Sequence, residues 1–101
     1  MAFDNLIDNV TQWADDKDIL KPENAPKQLM KVMEELGETA GAIAKNKNTA
    51  EIMDGIGDTF VTLIILSKQL GLDPTKCLEM AWDEIKNRQG KTVNGVFIKA
   101  E

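Results

Sequence analysis

The sequence predicts an all-α fold, an antiparallel four-helix bundle that ends in a short extended tail. Two observations predict it. Apolar residues recur at helical spacing in four successive segments. The breaks between those segments are short and carry Pro, Gly or Asn, the residues that stop one helix and start the next. Helices joined by short loops become antiparallel neighbours.

Phe3, Leu6, Ile7, Val10 and Trp13 share one face, giving an amphipathic helix over 2–16. "KPENAP" (21–26) breaks it, and Pro26 suits the first turn of a second helix over 26–45. The apolar stripe of that helix is Leu29, Val32, Met33, Leu36, Ala40 and Ile43. "KNKN" (45–48) is a polar turn, and Asn48 followed by Glu51 has the spacing of a capping box. The third helix, 49–70, is apolar nearly all round, which predicts a central position and at least partial burial of Asp58. Gly71 ends it. Asp73-Pro74 opens a fourth helix over 74–88, and Gly90 stops that one. The remainder, "KTVNGVFIKAE", has a turn at Asn94-Gly95 and is either extended or a small hairpin.

One domain is expected of 101 residues. A chain this short buries limited surface alone, so association into a homodimer or homotetramer is expected. The net charge of -5 argues against nucleic acid or a membrane surface as partner, because both carry negative charge. The excess is uneven: residues 86–101 are locally +3. A single cysteine, Cys77, forms no intrachain disulfide and suits a reducing, cytoplasmic compartment. No basic and apolar leader opens the sequence. The absence of histidine removes imidazole acid–base chemistry and disfavours zinc. Any bound metal would have oxygen ligands, which suits Mg²⁺, Mn²⁺ or Ca²⁺.

The second helix carries "MEELGE" (33–38), three carboxylates within five residues. Glu35 and Glu38 fall within about 100° of Glu34 on the helical wheel, with Lys31 between them. Alone, this is a solvated face, with Lys31 spaced to pair with Glu35. Folding helices two and three about residue 47 changes that reading. Glu38 becomes level with residue 56 and Glu35 with residue 59, so Asp54 and Asp58 bracket Glu38. Carboxylates brought together in a low dielectric repel, and a divalent cation relieves the cost. Gly55 and Gly57 in a helix interior call for a close approach by a helix or ligand. Glu51 is a rival ligand through "EIMD", but it sits roughly 7 Å along the axis from the level of Glu38 and is used in the capping box.

With these residues the sequence resembles the MazG-like, all-α nucleoside triphosphate pyrophosphohydrolases, whose motif is EExxE followed after a variable gap by ExxD. "EELGE" matches the first half and "GDTFVTLIIL" resembles the second. "QLMKVM" and the tail "AWDEIKNRQGKTVNGVFIKAE" extend the likeness over about residues 25–101. The resemblance implies Mg²⁺-dependent cleavage of the α–β phosphoanhydride of an NTP or dNTP, with Mn²⁺ as the alternative ion. It implies Glu35, Glu38 and Asp58 as metal ligands, Asp54 as the fourth, and Glu34 as ligand or base. Aligned on Gly-Asp, Gly55 stands where the family has the glutamate of ExxD. Phosphoribosyl-ATP is a related candidate substrate.

Lys31, Lys86, Asn87, Arg88 and Lys91 are candidates for the outer phosphates, since arginine in particular suits bidentate contacts. Trp13 and Trp82 are candidates for stacking on a base, or else core. Two other readings stand beside the enzyme: a helical oligomerisation module whose acids only solubilise it, and an inactive relative that binds nucleotide without cleaving it.

Overall fold

The computed structural model describes residues 2–101. It is mostly helical: α1 (Phe3–Asp16), α2 (Ala25–Ala44), α3 (Thr49–Gln69) and α4 (Pro74–Ile85), followed by a hairpin of β1 (Gly90–Val93) and β2 (Val96–Lys99). One 3-10 turn, Pro22–Asn24, leads into α2 and puts its start one residue earlier than predicted. Helix α4 ends three residues earlier than predicted.

The helix ends follow the local signals. Asn48 Oδ1 accepts from the Glu51 N–H at 2.9 Å, and Asp73 Oδ1 accepts from the Thr75 N–H at 2.9 Å. Asp18, Asn46 and Gly71 take positive φ just past α1, α2 and α3. At each end paired amides turn back to the last carbonyls: Lys47 N–H donates to Ala42 and Asn46 N–H to Ile43. Asn94 and Gly95 both have positive φ, the type I′ geometry that closes a two-residue hairpin. The tail is therefore a hairpin, pairing Lys91 with Ile98 and Thr92 with Phe97.

Helix α3 is central, as its apolar girth predicts. Helix α2 packs antiparallel along it and α1 also packs on it, while α4 touches it without burying any of its own residues. Helix α1 runs over α3 from an edge-to-face pair, Phe3 with Phe60 at 5.8 Å, to a hydrogen bond from Gln69 Nε2 to the Ile19 carbonyl at 3.0 Å. The hairpin residues are exposed throughout.

The α2/α3 seam is small and polar apart from Val32, the one member of the predicted α2 stripe that is buried. Ala25, Gln28, Val32 and Thr39 are buried and Glu35 is half-buried, all on the line facing α3. Thr39, Thr59 and Thr62 each turn their hydroxyl onto a carbonyl of their own helix, which leaves their methyl groups for the seam. Gln28 Nε2 donates across it to the Thr62 carbonyl at 3.1 Å. Gly55 lies against Thr39, and a Cβ there would stand 2.5 Å from Thr39 Oγ1. This opposition fixes the register predicted from the turn at residue 47. A Cβ at Gly57, by contrast, meets open space, so close helix packing is not why that glycine is there.

Candidate metal and nucleotide site

The hairpin of α2 and α3 has two unlike faces. One carries carboxylates from both helices. Glu35 is half-buried beside the seam, while Glu34, Glu38, Asp54 and Asp58 are exposed. The exposure of Asp58 corrects the burial predicted for it. Position 58 lies toward the flank of α3 and the seam uses Gly55, Thr59 and Thr62, so the apolar residues beside Asp58 do not enclose it.

Glu35 records how these groups are arranged. Its carboxyl is held above its ordinary value, first by partial burial, then by the charges of Glu38, Asp58 and Glu34, with Lys31 opposing. Asp58 comes from α3 and the others from α2, so the hairpin does bring acids of two helices into electrostatic reach. Asp54 is not among the charges acting on Glu35. Lys31 pairs with Glu34 at 3.5 Å instead of with Glu35. Both partners of that pair are more than half exposed, so its contribution is small. Among the described residues no three His, Cys, Asp or Glu side chains are gathered closely enough to form a ready-made ion cage.

A second feature was not singled out in the sequence. Glu38 and Glu51 line one shallow depression of about 470 Å³ at the hairpin tip, with Gly37, Gly41, Lys45 and Lys47. The cap at Asn48 uses the amide of Glu51 and not its carboxylate, so capping and ion binding do not compete for the same atoms. The only signal for Lys45 and Lys47 was the "KNKN" turn itself. A lysine in a polar turn has no helical phase to reveal which way it faces.

Trp13 is 51% exposed and lines a shallow apolar pocket of about 340 Å³ with Asn9, Val10 and Val61. Val61 lies three residues beyond Asp58 on α3, a rise of about 4.5 Å. Trp82 is exposed on α4. The other predicted phosphate contacts are not gathered here. Lys86 pairs with Asp83 at 3.0 Å, Asn87 and Arg88 follow the end of α4, and Lys91 lies on the exposed hairpin.

The raised proton affinity of Glu35 has a measurable consequence. Its neutral form is favoured in the folded chain, so the stability it contributes is full below its ordinary value of 4.5 and is lost as the pH rises through the raised one. In metal-free buffer, Glu35→Gln is expected to melt at a higher temperature than the wild type at pH 7. The two should converge below about pH 4. Thermal melts in EDTA at the two pH values check this; an equal or reversed difference at pH 7 would remove Glu35 from a repulsive cluster.

No family model matches the chain. No solved structure matches it. It is 46% identical over 68 residues to an uncharacterized 18.2 kDa protein of the rep-hol intergenic region of Haemophilus phage HP1. The match covers 67% of this chain and 41% of that protein, so the chain spans about two fifths of its relative's length. No helix among the described residues is long and apolar enough to cross a membrane.

Proposed function

We propose that the protein is a Mg²⁺-dependent nucleoside triphosphate pyrophosphohydrolase built on an antiparallel helical bundle. It cleaves the α–β phosphoanhydride of an NTP or dNTP to give monophosphate and pyrophosphate. The observation that carries this reading is the acid-bearing flank of the α2/α3 hairpin, where Asp58 of α3 comes within electrostatic reach of half-buried Glu35 beside Glu34 and Glu38 of α2. An all-oxygen donor set of this charge fits Mg²⁺ or Mn²⁺. Glu35, Glu38 and Asp58 would hold the ion, and bound there it would stabilise negative charge on the substrate phosphates.

The fourth carboxylate is better sought at Glu51 than at Asp54. Glu51 shares a depression with Glu38. A glutamate at position 55, where the family motif has one, would clash with Thr39. Gly55 is therefore a packing residue, and the departure from ExxD is a consequence of the tight seam. Glu34, on the exposed flank beside Glu35, is placed to orient or deprotonate an attacking water. We assign the outer phosphates to Lys45 and Lys47, which line the depression with Glu38 and Glu51. Trp13 with Val10 and Val61 offers an apolar platform for the base.

The test is a panel of NTPs, dNTPs and phosphoribosyl-ATP with Mg²⁺, read as pyrophosphate release. Cleavage of at least one, lost in EDTA, is expected. Binding without cleavage would instead make the chain an inactive relative. The oligomerisation-module reading draws on the exposed Met33, Leu36 and Ile43 of α2; it predicts neither cleavage nor saturable Mg²⁺ binding.

A further inference from the structure

The charge of the chain is divided between two parts of the molecule. Residues 1–85 hold sixteen acids against eight bases, a net -8, while residues 86–101 are +3. The total of -5 argues against an anionic partner for the molecule as a whole, but it does not describe the tail. The fold sets that tail apart. Neither strand of the β1/β2 hairpin packs along a helix, and the residues of both strands are exposed. A two-stranded hairpin has little stability of its own, yet this one is held at both ends. Asn94-Gly95 closes the turn, and the Ala100 N–H donates to the Gln89 carbonyl at 2.8 Å. The result is a preformed basic arm on an acidic body.

One face of the arm is built around an aromatic ring. The register sets Gly90 opposite Lys99 and Thr92 opposite Phe97, so these four residues share a face. Phe97 lies diagonally across from Gly90, and its ring reaches over the glycine. A Cβ at position 90 would stand 2.6 Å from Phe97 Cζ and would also run into the Ile98 carbonyl. The glycine thus lets the ring settle on the backbone, which steadies it from one side. Phe97 is still 50% exposed, so the rest of the ring is open to solvent. Beside it, Lys91 and Lys99 line a shallow depression of about 370 Å³ with Gln89 and Gly90 at the open end of the hairpin. Lys86 is paired with Asp83, whereas Arg88, Lys91 and Lys99 have no ion-pair partner among the described residues.

We infer that this arm binds single-stranded nucleic acid, with a base stacked on Phe97 and phosphates held by Arg88, Lys91 and Lys99. An aromatic ring beside a basic groove accepts any base, because every base has a π-face. Charge sets the orientation: an anionic strand is repelled by the acidic body and drawn to the arm. A duplex fits less well, since its bases are already stacked on one another. The turn disfavours the other anionic partner, a membrane surface. Asn94 and Gly95 form the tip of the arm, and their polar groups would enter the acyl region first, where nothing pairs with them. The arm is a different surface from the carboxylate flank, and the inference does not depend on the proposed activity.

Fluorescence anisotropy of a labelled oligothymidylate, titrated with the full chain in EDTA, tests it. Saturable binding is expected at low salt. The logarithm of the binding constant should fall against that of salt with a slope of about -2, from three phosphate contacts at about -0.7 each on a single strand. Phe97→Ala should weaken binding by about 5- to 150-fold, the effect of losing one stacked base. Phe97→Trp, which keeps a ring over Gly90, should retain it. Lys99→Gln should make the slope shallower by about 0.7. That variant leaves the ring and the strand pairing in place, so a loosened hairpin in Phe97→Ala cannot hide the result. No binding at low salt, binding that Phe97→Ala leaves unchanged, or a slope that Lys99→Gln leaves unchanged would each overturn the proposal. Binding lost with Trp13→Ala instead would do so by moving the strand to the nucleotide site. Binding to phosphatidylserine vesicles in place of the oligonucleotide would do so by assigning the arm to a membrane surface.

Discussion

Asp58→Asn is expected to abolish the proposed Mg²⁺-dependent pyrophosphate release while leaving the fold intact. The substitution keeps the side chain's shape and removes only its charge. Asp58 is exposed and makes no hydrogen bond or ion pair among the described residues, so helical content and melting temperature in EDTA should hold or rise slightly. The rise follows from relieving the repulsion between Asp58 and Glu35. Losing a group that merely orients a metal ligand typically costs 10–100-fold, so losing a ligand should cost more than roughly a hundredfold in kcat/KM. Thermal-shift titration with Mg²⁺ supplies a second readout: the wild type gains stability by mass action and the variant does not. Full activity in Asp58→Asn would mean that α3 contributes no ligand and that the charge coupling across the seam is incidental.

The second large effect is a contrast between two glycines one half-turn apart. Gly55→Ala is expected to destabilise the protein by up to about 2 kcal/mol net, since forcing extra volume into a closed contact costs about 1–3 kcal/mol. The new Cβ would stand 2.5 Å from Thr39 Oγ1, and Thr39 is itself buried with its hydroxyl committed to the Glu35 carbonyl. Helix propensity returns only about 1 kcal/mol of that. Gly57→Ala meets nothing within 4 Å, so propensity acts alone and stability should rise by up to about 1 kcal/mol. Chemical denaturation of both variants in one buffer decides it. Equal effects of the same sign would break the register on which the site rests. Gly55→Ala should also lower activity, because the seam it widens sets the distance between Glu35 and Asp58.

Much of the fold was readable in advance. The breaks at Pro22, Asn48, Asp73 and Asn94-Gly95 are local chemistry: a fixed φ, a capping oxygen, or a tolerance for positive φ. Each works the same way wherever the segment sits in three dimensions. The level of Glu35 against Asp58 was readable too, since a tight turn at residue 47 leaves one register available, and Gly55 opposite Thr39 is that register. The face of α2 that meets α3 was not readable. A wheel ranks faces by apolarity and picks out the stripe with Leu29, Met33 and Leu36, yet of that stripe only Val32 is buried. The chain instead packs α3 against Gln28, Thr39 and half-buried Glu35, because small side chains and self-bonded hydroxyls let two backbones come close. That choice leaves the apolar stripe open and turns the acids of both helices onto the opposite flank.

The amino-acid order alone determined the helices, their ends, the turn-defined register and the chemical type of the donors, since all of these depend on neighbours a few residues apart. Tertiary structure decided which flank of each helix faces its neighbour, that Asp58 is exposed while Glu35 is half-buried, and that Glu38 and Glu51 line one depression. Those outcomes depend on contacts between segments distant in the chain, where packing volume and charge across the seam outweigh any local preference.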